Sequence, residues 1–186
     1  MGYKKYIKDY RKEYIVKPNG KPGVTATYIG KYYVFKADER QFRKSRLLFA
    51  LLSALTVVCC FVPLLFNTEA NHTLYVSLPN CISLFPTVHL IFGVFNLFDK
   101  KPPLIREFRD KTEGRITTAS VTSACTLAVT AVCWVVKCAA SGFGALDIVS
   151  VLLLAVGSAL AGYMFAKRKA FATEERDNPN AESVED

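Results

Sequence analysis

The sequence predicts an all-α membrane protein: four transmembrane helices and a small N-terminal cytoplasmic segment that combines a helix with a β-hairpin. Four apolar runs, at residues 47–66, 73–98, 116–136 and 145–166, contain one charged residue between them, Asp147. Each run reaches the about 20 residues that a helix needs to cross a bilayer. The remaining charges lie between and outside the runs. This separation excludes a soluble globule, a disordered polar chain and a disulfide-stapled secreted domain.

Residues 1–46 form a basic, tyrosine-rich segment before the first run, with 13 basic and four acidic residues. Four tyrosines recur there at spacings of three and four, which predicts a helix with one aromatic stripe: Tyr3, Tyr6, Tyr10 and Tyr14. Such a helix would either lie on anionic lipid at the cytoplasmic face or pack against the rest of the chain.

A hairpin is predicted after this helix. Residues 13–17 and 24–35 are rich in β-branched and aromatic side chains, and residues 18–23 between them contain two prolines and two glycines. A lone two-stranded hairpin is marginally stable in water. We therefore expect it to lean on the membrane surface, on the 99–115 loop or on a partner protein.

The transmembrane domain, residues 47–166, is oriented by its connecting segments. Of 24 Lys and Arg residues, 13 precede the first run, six lie in residues 99–115 and four lie in residues 167–186. Basic residues near helix ends resist translocation, so both termini and the 99–115 loop are expected in the cytoplasm. The tail, residues 167–186, becomes acidic, lacks apolar periodicity and is predicted to be disordered.

Polar residues inside the runs are the first candidates for a functional site. At 100° per residue, three side chains of the second run share a stripe that would bond a neighbouring helix or line a small wet cavity, and a histidine lies on the opposite side: Asn80, Ser83 and Thr87, with His89 opposite. Asp147, at the start of the fourth run, predicts a helix cap that pairs with Lys137.

The predicted topology places every cysteine except Cys125 in the outer half of the bilayer, within reach of an oxidising exterior. The candidate redox thiols are Cys133 and Cys138, with Cys81 or Cys60 as the resolving thiol. The competing interpretation is that they are inert apolar side chains, which is common for buried cysteine. The sequence contains no metal-ligand spacing and no cofactor motif, and we expect neither metal nor cofactor.

The third and fourth runs carry small residues at spacings of four, which let helix backbones approach closely. The predicted packing residues are Ser120, Ala124 and Ala128 in the third run and Ser158 and Gly162 in the fourth. The spacing leaves open whether this seam is internal or joins two protomers.

These features favour a non-enzymatic accessory or regulatory subunit that binds another membrane protein, because the runs lack a catalytic or ion-coupling constellation. The alternatives are a small oligomeric transporter or channel that uses the polar stripe, and a membrane thiol oxidoreductase. The expected partners are the bilayer with its anionic lipid and either a membrane protein or further copies of the chain. Nucleic acid is not expected, since positive-inside topology accounts for the basic charge. Short loops favour a bacterial plasma membrane.

Overall fold

The computed structural model describes residues 6–16, 22–99 and 103–178, and most of them are helical. Four long helices confirm the predicted number, and each is long and apolar enough to cross a membrane. They are α1 (Glu39–Leu65), α2 (Leu74–Asp99), α3 (Arg106–Ser141) and α4 (Ala145–Lys167). The described residues also form five strands: β1 (Tyr10–Val16), β2 (Pro22–Tyr28), β3 (Tyr32–Phe35), β4 (Leu104–Ile105) and β5 (Thr173–Arg176).

The chain divides into two compact units. Unit 1 comprises residues 1–36, 101–111 and 173–186, and unit 2 comprises residues 37–100 and 112–172. Unit 1 is therefore assembled from three separate stretches of sequence. Unit 2 contains the four apolar helical segments.

In unit 2, α1 packs against both α2 and α4. Helix α3 reaches α2 where Gly93 faces Ile116, and it reaches α4 where the Ser158 hydroxyl donates to the Ala124 carbonyl at 2.8 Å. Helix α2 runs through Pro79 and Pro86 without interruption. Both α1 and α3 begin earlier than the apolar runs, because charged residues before each run continue the helix.

Unit 1 contains a hairpin where one was predicted, but the second predicted strand, residues 24–35, is divided. Strand β2 ends at Tyr28, and β3 belongs to a different sheet. Strands β1 and β2 pair antiparallel, from Tyr10 opposite Tyr28 to Val16 opposite Pro22. The turn predicted at residues 18–23 lies largely outside the described residues. A second, three-stranded antiparallel sheet has the order β4-β3-β5.

The helix predicted around the N-terminal tyrosines is wrong for the described residues. A short 3₁₀ helix covers Ile7–Asp9, and β1 begins at Tyr10. A spacing of four places Tyr10 and Tyr14 on one face of a strand as well as of a helix. Pairing with β2 makes this segment a strand rather than a helix. Across the pair, the rings of Tyr10 and Tyr28 pack edge to face with their centroids 5.2 Å apart. Tyr3 lies outside the described residues.

The disorder predicted for residues 167–186 is wrong up to residue 178. A 3₁₀ helix spans Arg168–Phe171, and β5 then pairs with β3 so that Tyr32 faces Arg176 and Phe35 faces Thr173. The edge of β3 offers unpaired backbone groups to any nearby strand, which a search for apolar periodicity in the tail does not detect. Residues 179–186 lie outside the described part of the chain.

Candidate functional site

Unit 2 exposes many large apolar side chains and buries small polar side chains among apolar ones. Its buried polar side chains are uncharged: Ser53, Thr56, Thr68, Asn80, Ser83, Thr87, Thr112, Ser120, Ser123, Thr130 and Ser150. Its exposed side chains include Leu51, Phe85 and Val132, while Leu90, Leu127 and Trp134 are among the buried apolar ones. A soluble protein seldom exposes so much contiguous apolar surface, whereas helices packed in lipid do so and present small polar residues to one another.

The predicted stripe of α2 lies on the inner face, since Asn80, Ser83 and Thr87 are all fully buried. The Ser83 hydroxyl donates to the Asn80 carbonyl at 2.6 Å and lies 3.0 Å from the Cys60 sulfur of α1. Because its single proton is used on the carbonyl, the Cys60 thiol is the donor between the two side chains. Thr87 donates to the Ser83 carbonyl of its own helix at 3.0 Å. The stripe thus bonds a neighbouring helix at one point.

Asn80 and His89 are two polar side chains in the apolar part of α2 that have no hydrogen-bond partner among the described residues. Both amide atoms of Asn80 are buried without a hydrogen-bond partner among the described residues. His89 lies on the opposite face, is exposed, and makes no hydrogen bond within the part of the chain that the structure describes. The structure therefore brings Asn80, Ser83 and Thr87 together and leaves His89 outside the bundle.

The structure separates Cys133 from Cys138, the leading candidate redox pair. All six cysteines are free thiols. Cys133 and Cys138 lie on one continuous helix, where five residues rise about 7.5 Å, more than the about 7 Å between Cα atoms that a disulfide tolerates. Of the two candidate resolving thiols, Cys60 is bonded to Ser83 and Cys81 is exposed. The leading pair is therefore not placed to form a disulfide.

The predicted packing seam is partly correct. Ser120 is fully buried, and Ser158 contacts Ala124. Ala128, however, is exposed, because the buried face of α3 follows Ser123, Leu127 and Thr130, so it does not belong to the contacts within this chain. A Cβ added at Gly162 would meet nothing within 4 Å. The close approach occurs instead at Gly157, where an added Cβ would lie 3.0 Å from the Cys59 Cβ.

Asp147 caps α4, as predicted, but its partner differs. One carboxylate oxygen accepts from the Gly144 amide at 3.1 Å, and the other accepts from the indole N–H of Trp134 at 3.0 Å. The partner expected from sequence, Lys137, forms no ion pair with it. Trp134 is fully buried, and an indole N–H in that setting needs an acceptor. Sequence reasoning missed this pair because it joins different helices.

In unit 1, one face of the hairpin carries Tyr10, Lys12 and Tyr14 from β1 with Val24, Ala26 and Tyr28 from β2. We call these six residues the hairpin face. At one end, its Tyr10, Lys12 and Ala26 line a cavity of about 220 Å³, together with Tyr6, Ile7 and Glu107. At the other end, Tyr14 is 85% and Val24 57% exposed.

The hairpin leans on the chain segment around the start of α3, one of the three supports expected from sequence. The Tyr6 hydroxyl donates to Asp110 at 3.2 Å, and the Arg106 amide donates to the Tyr28 hydroxyl at 3.1 Å. Asp9 lies 3.9 Å from the Arg106 guanidinium. These contacts stabilise the hairpin face, which matters because a two-stranded hairpin by itself is only marginally stable in water.

Two side-chain hydrogen bonds of Glu175 hold strand β5 in unit 1. Its carboxylate accepts from Lys31 at 3.0 Å and from the Tyr33 hydroxyl at 3.3 Å. The hydrogen bond from Lys31 holds the pKa of Glu175 below its usual value, and the same bond raises the pKa of Lys31. Asn178 follows, buried, and donates to the carbonyl oxygens of Tyr28 and Gly30 at 2.9 and 3.3 Å.

Among the described residues, no group of three or more His, Cys, Asp or Glu side chains is placed to hold a metal ion. The chain matches no family model, no curated protein and no solved structure.

Proposed function

We propose that this chain is an integral membrane protein that serves as a non-enzymatic accessory or regulatory subunit and binds another membrane protein through the hairpin face of unit 1. In this proposal the four helices cross the membrane, and both termini and the 99–115 loop lie in the cytoplasm. A bacterial plasma membrane is the proposed location. The basic cytoplasmic segments would also attract anionic lipid.

The membrane placement is supported by the distribution of polarity in unit 2. Many of its exposed side chains are large and apolar, and its buried polar residues are Ser, Thr and one Asn, none of which carries a formal charge. In water, that exterior would drive aggregation. In lipid, the same exterior is matched to its surroundings. The orientation is supported by the 23 of 24 Lys and Arg residues that fall on one side.

The observation that carries the recognition role is the exposure of Tyr14 and Val24. They are directly opposed across the hairpin, and both stand out from it, 85% and 57% exposed. Aromatic side chains are enriched in protein interfaces, and contiguous exposed apolar surface marks such sites. The neighbouring cavity adds a recess with Lys12 and Glu107 in its lining. A protein segment with an apolar anchor and flanking charges of both signs fits this surface.

Native mass spectrometry of the tagged full-length chain, extracted from its host membrane in mild detergent, tests the proposal. We expect a second chain at fixed stoichiometry. The double variant Tyr14→Ser, Val24→Thr should reduce its recovery at least tenfold, because two opposed contact side chains are lost. The matched control Thr25→Ser alters the opposite face of the same strand and should retain the partner.

Two results would contradict the proposal. One is a partner that remains fully bound to the double variant. The other is transport of a solute, or turnover of a substrate, by the purified chain alone in liposomes. Hydrogen exchange of β1 and β2 in both variants establishes that the hairpin itself is intact.

A second function, a small transporter or channel, is favoured by one observation, the buried and unpartnered amide of Asn80. Such a group costs free energy unless a ligand or water meets it. In this alternative the stripe of Asn80, Ser83 and Thr87 contacts the solute. Unaltered transport by an Asn80→Ala, Thr87→Ala double variant would contradict this alternative.

A further inference from the structure

We propose that two copies of this chain dimerise through the outer face of α2, with the helices parallel and the two His89 side chains hydrogen-bonded to each other. The inference rests on the membrane placement proposed above. It concerns a surface of unit 2 and is independent of the hairpin face.

His89 occupies the middle of α2. Counting 1.5 Å per residue, it lies about 22 Å from Leu74 and about 15 Å from Asp99. Its side chain is exposed and has no hydrogen-bond partner among the described residues. The other polar side chains in the middle of this helix, Asn80, Ser83 and Thr87, are turned inward and fully buried. His89 is therefore the one polar group at this depth of α2 that faces outward.

Lipid does not satisfy this group. A neutral imidazole has one N–H donor and one bare nitrogen acceptor, and acyl chains offer neither donor nor acceptor. Long side chains such as lysine reach the headgroups from within the bilayer, but an imidazole on a short stem does not reach across about 15 Å. An imidazole exposed at mid-depth therefore favours a protein partner that can hydrogen-bond with it.

The surroundings of His89 form a groove suited to another helix. It has a volume of about 500 Å³ and is lined by Cys81, Leu84, Phe85, Val88, His89 and Phe92. The exposed side chains of Leu78, Phe85 and Phe92 recur every seven residues, and Val88 and Phe95 follow the last two of them by three residues. Spacings of three and four are those of helices that cross at about 20°. An exposed apolar groove can be covered by lipid as well as by a helix. The argument for a helix therefore depends on His89.

His89 favours a second copy of this chain as the protein that packs in the groove. Every copy inserts with its basic segments on the same side, so neighbouring α2 helices in a two-fold dimer run parallel with their His89 residues at one depth. The N–H of one neutral imidazole then donates to the bare nitrogen of the other. Any other protein would have to place a donor or acceptor at that depth, whereas a second copy does so by construction.

Cys81 makes the interface measurable, because it lines the same groove about 12 Å along the helix from His89. Cys125 on α3 is a second exposed thiol, outside the groove, and serves as an internal control. We would treat native membranes containing the full-length chain with a short, membrane-permeable bismaleimide and map the cross-linked peptides by mass spectrometry. The proposal predicts Cys81–Cys81 links between copies and few Cys125–Cys125 links.

Three variants then test the role of the imidazole. His89→Leu should weaken dimerisation roughly three- to thirty-fold, the range for loss of one hydrogen bond between membrane helices. His89→Gln keeps a donor and an acceptor and should retain most of the dimer. Val132→Leu, on the exposed face of α3, introduces the same residue elsewhere and should have no effect. Single-molecule photobleaching of labelled chains in liposomes gives the dimer fraction.

Cross-linking at Cys81 no stronger than at Cys125 would overturn the proposal and leave lipid against the groove. A Cys81 link to a different protein would overturn it as well, as would a dimer that His89→Leu leaves unchanged. Release of the chain from membranes by alkaline carbonate would instead contradict the membrane placement itself, so the two failures are distinguishable.

Discussion

Units 1 and 2 use their polar side chains in opposite ways. In unit 2, buried hydroxyls mostly donate to a carbonyl one turn earlier in their own helix, as Thr56, Thr130 and Ser150 do. In unit 1, polar side chains bond residues far away in the sequence. The pairs are Tyr6 with Asp110, Lys31 with Glu175, and Asn178 with the Tyr28 carbonyl.

This difference indicates what stabilises each unit. Hydroxyls bonded within a helix need nothing from the neighbouring helices, so the stability of unit 2 depends chiefly on close packing of helix backbones. Unit 1 has few buried apolar side chains, among them Tyr6, Tyr33 and Leu104, and depends on individual contacts between its three segments. We therefore expect crowding substitutions to damage unit 2 most, and loss of single polar groups to loosen unit 1 in small steps.

The largest effect is expected from Gly157→Val. The added Cβ would lie 3.0 Å from the Cys59 Cβ and 3.3 Å from a Leu127 methyl group, so helices α1, α3 and α4 must separate. We expect a loss of about 2–3 kcal/mol in the free energy of unfolding, measured by Trp134 fluorescence in detergent. Gly162→Val is the matched control, since a Cβ there meets nothing within 4 Å. Equal losses for both variants would contradict close packing at Gly157.

The next effect tests one of the bonds that join different helices of unit 2, the side-chain bond between Trp134 and Asp147. Asp147→Leu removes the acceptor of a buried indole N–H and the cap on the Gly144 amide. We expect a loss of about 1.5–3 kcal/mol, because the bond involves a charged group. Asp147→Asn keeps an acceptor oxygen and should lose less. Thermal unfolding of the two variants side by side measures the difference, and an unchanged Asp147→Leu protein would contradict the assignment.

A smaller effect is expected in unit 1 from Asn178→Ala. The substitution removes the two hydrogen bonds that the Asn178 side-chain amide donates to the carbonyl oxygens of Tyr28 and Gly30. We expect β5 to open more readily by about 1 kcal/mol, seen as faster hydrogen exchange at residues 173–176. Exchange in α1 and α2 should not change. Faster exchange throughout the chain would mean that the two units are not energetically separate.

The smallest expected effect is the pH dependence of the attachment of β5 through Glu175 and Lys31. Lys31 lowers the pKa of Glu175 in the folded chain. The stability that this carboxylate gives to β5 is therefore present above the pKa of the unfolded chain and is lost as the pH falls through the pKa of the folded chain. Because the pKa of Lys31 is raised, its contribution is present below its unfolded pKa and is lost as the pH rises through the folded value. Attachment of β5 should therefore be constant near neutral pH and weaken at both extremes.

Carboxyl-carbon NMR of Glu175 in the full-length chain measures this directly. Lys31→Met should move the titration midpoint of Glu175 up towards its usual value. Lys36→Met, a charge removal outside the pair, should leave the midpoint in place. An unshifted midpoint in the Lys31 variant would show that the exposed pair does not persist in solution.

The comparison also explains which features the sequence predicted. The number of long apolar helices and the inward stripe of Asn80, Ser83 and Thr87 follow from run length and a 100° rotation per residue, both of which are local properties. The tyrosine spacing was ambiguous because Tyr10 and Tyr14 share a face in a helix and in a strand. The spacing of small residues did not reveal which face of α3 is buried, and Ala128 lies on the exposed face.

The features missed in the sequence depend on contacts between distant residues. Strand β5 is Thr-Glu-Glu-Arg, a segment with no apolar pattern, and it becomes a strand because β3 offers an edge and Lys31 offers a charge. The bond between Trp134 and Asp147 joins two helices whose relative rotation is not encoded in either segment alone. The hairpin of unit 1 and its support by residues 99–115 were among the expectations. The joining of three stretches of the chain into one unit was not, because it too depends on contacts between distant residues.

The central claim is that the four helices cross a membrane and leave unit 1 in the cytoplasm. Two single-cysteine additions test it most directly: Tyr14→Cys on the hairpin face and Phe143→Cys in the turn between α3 and α4, both at exposed positions. Intact cells are treated with a membrane-impermeant maleimide, and labelling is read peptide by peptide so that the natural cysteines do not interfere. We predict labelling at position 143 in intact cells and at position 14 only after permeabilisation. Equal labelling of both positions in intact cells, or the reverse pattern, would contradict the account.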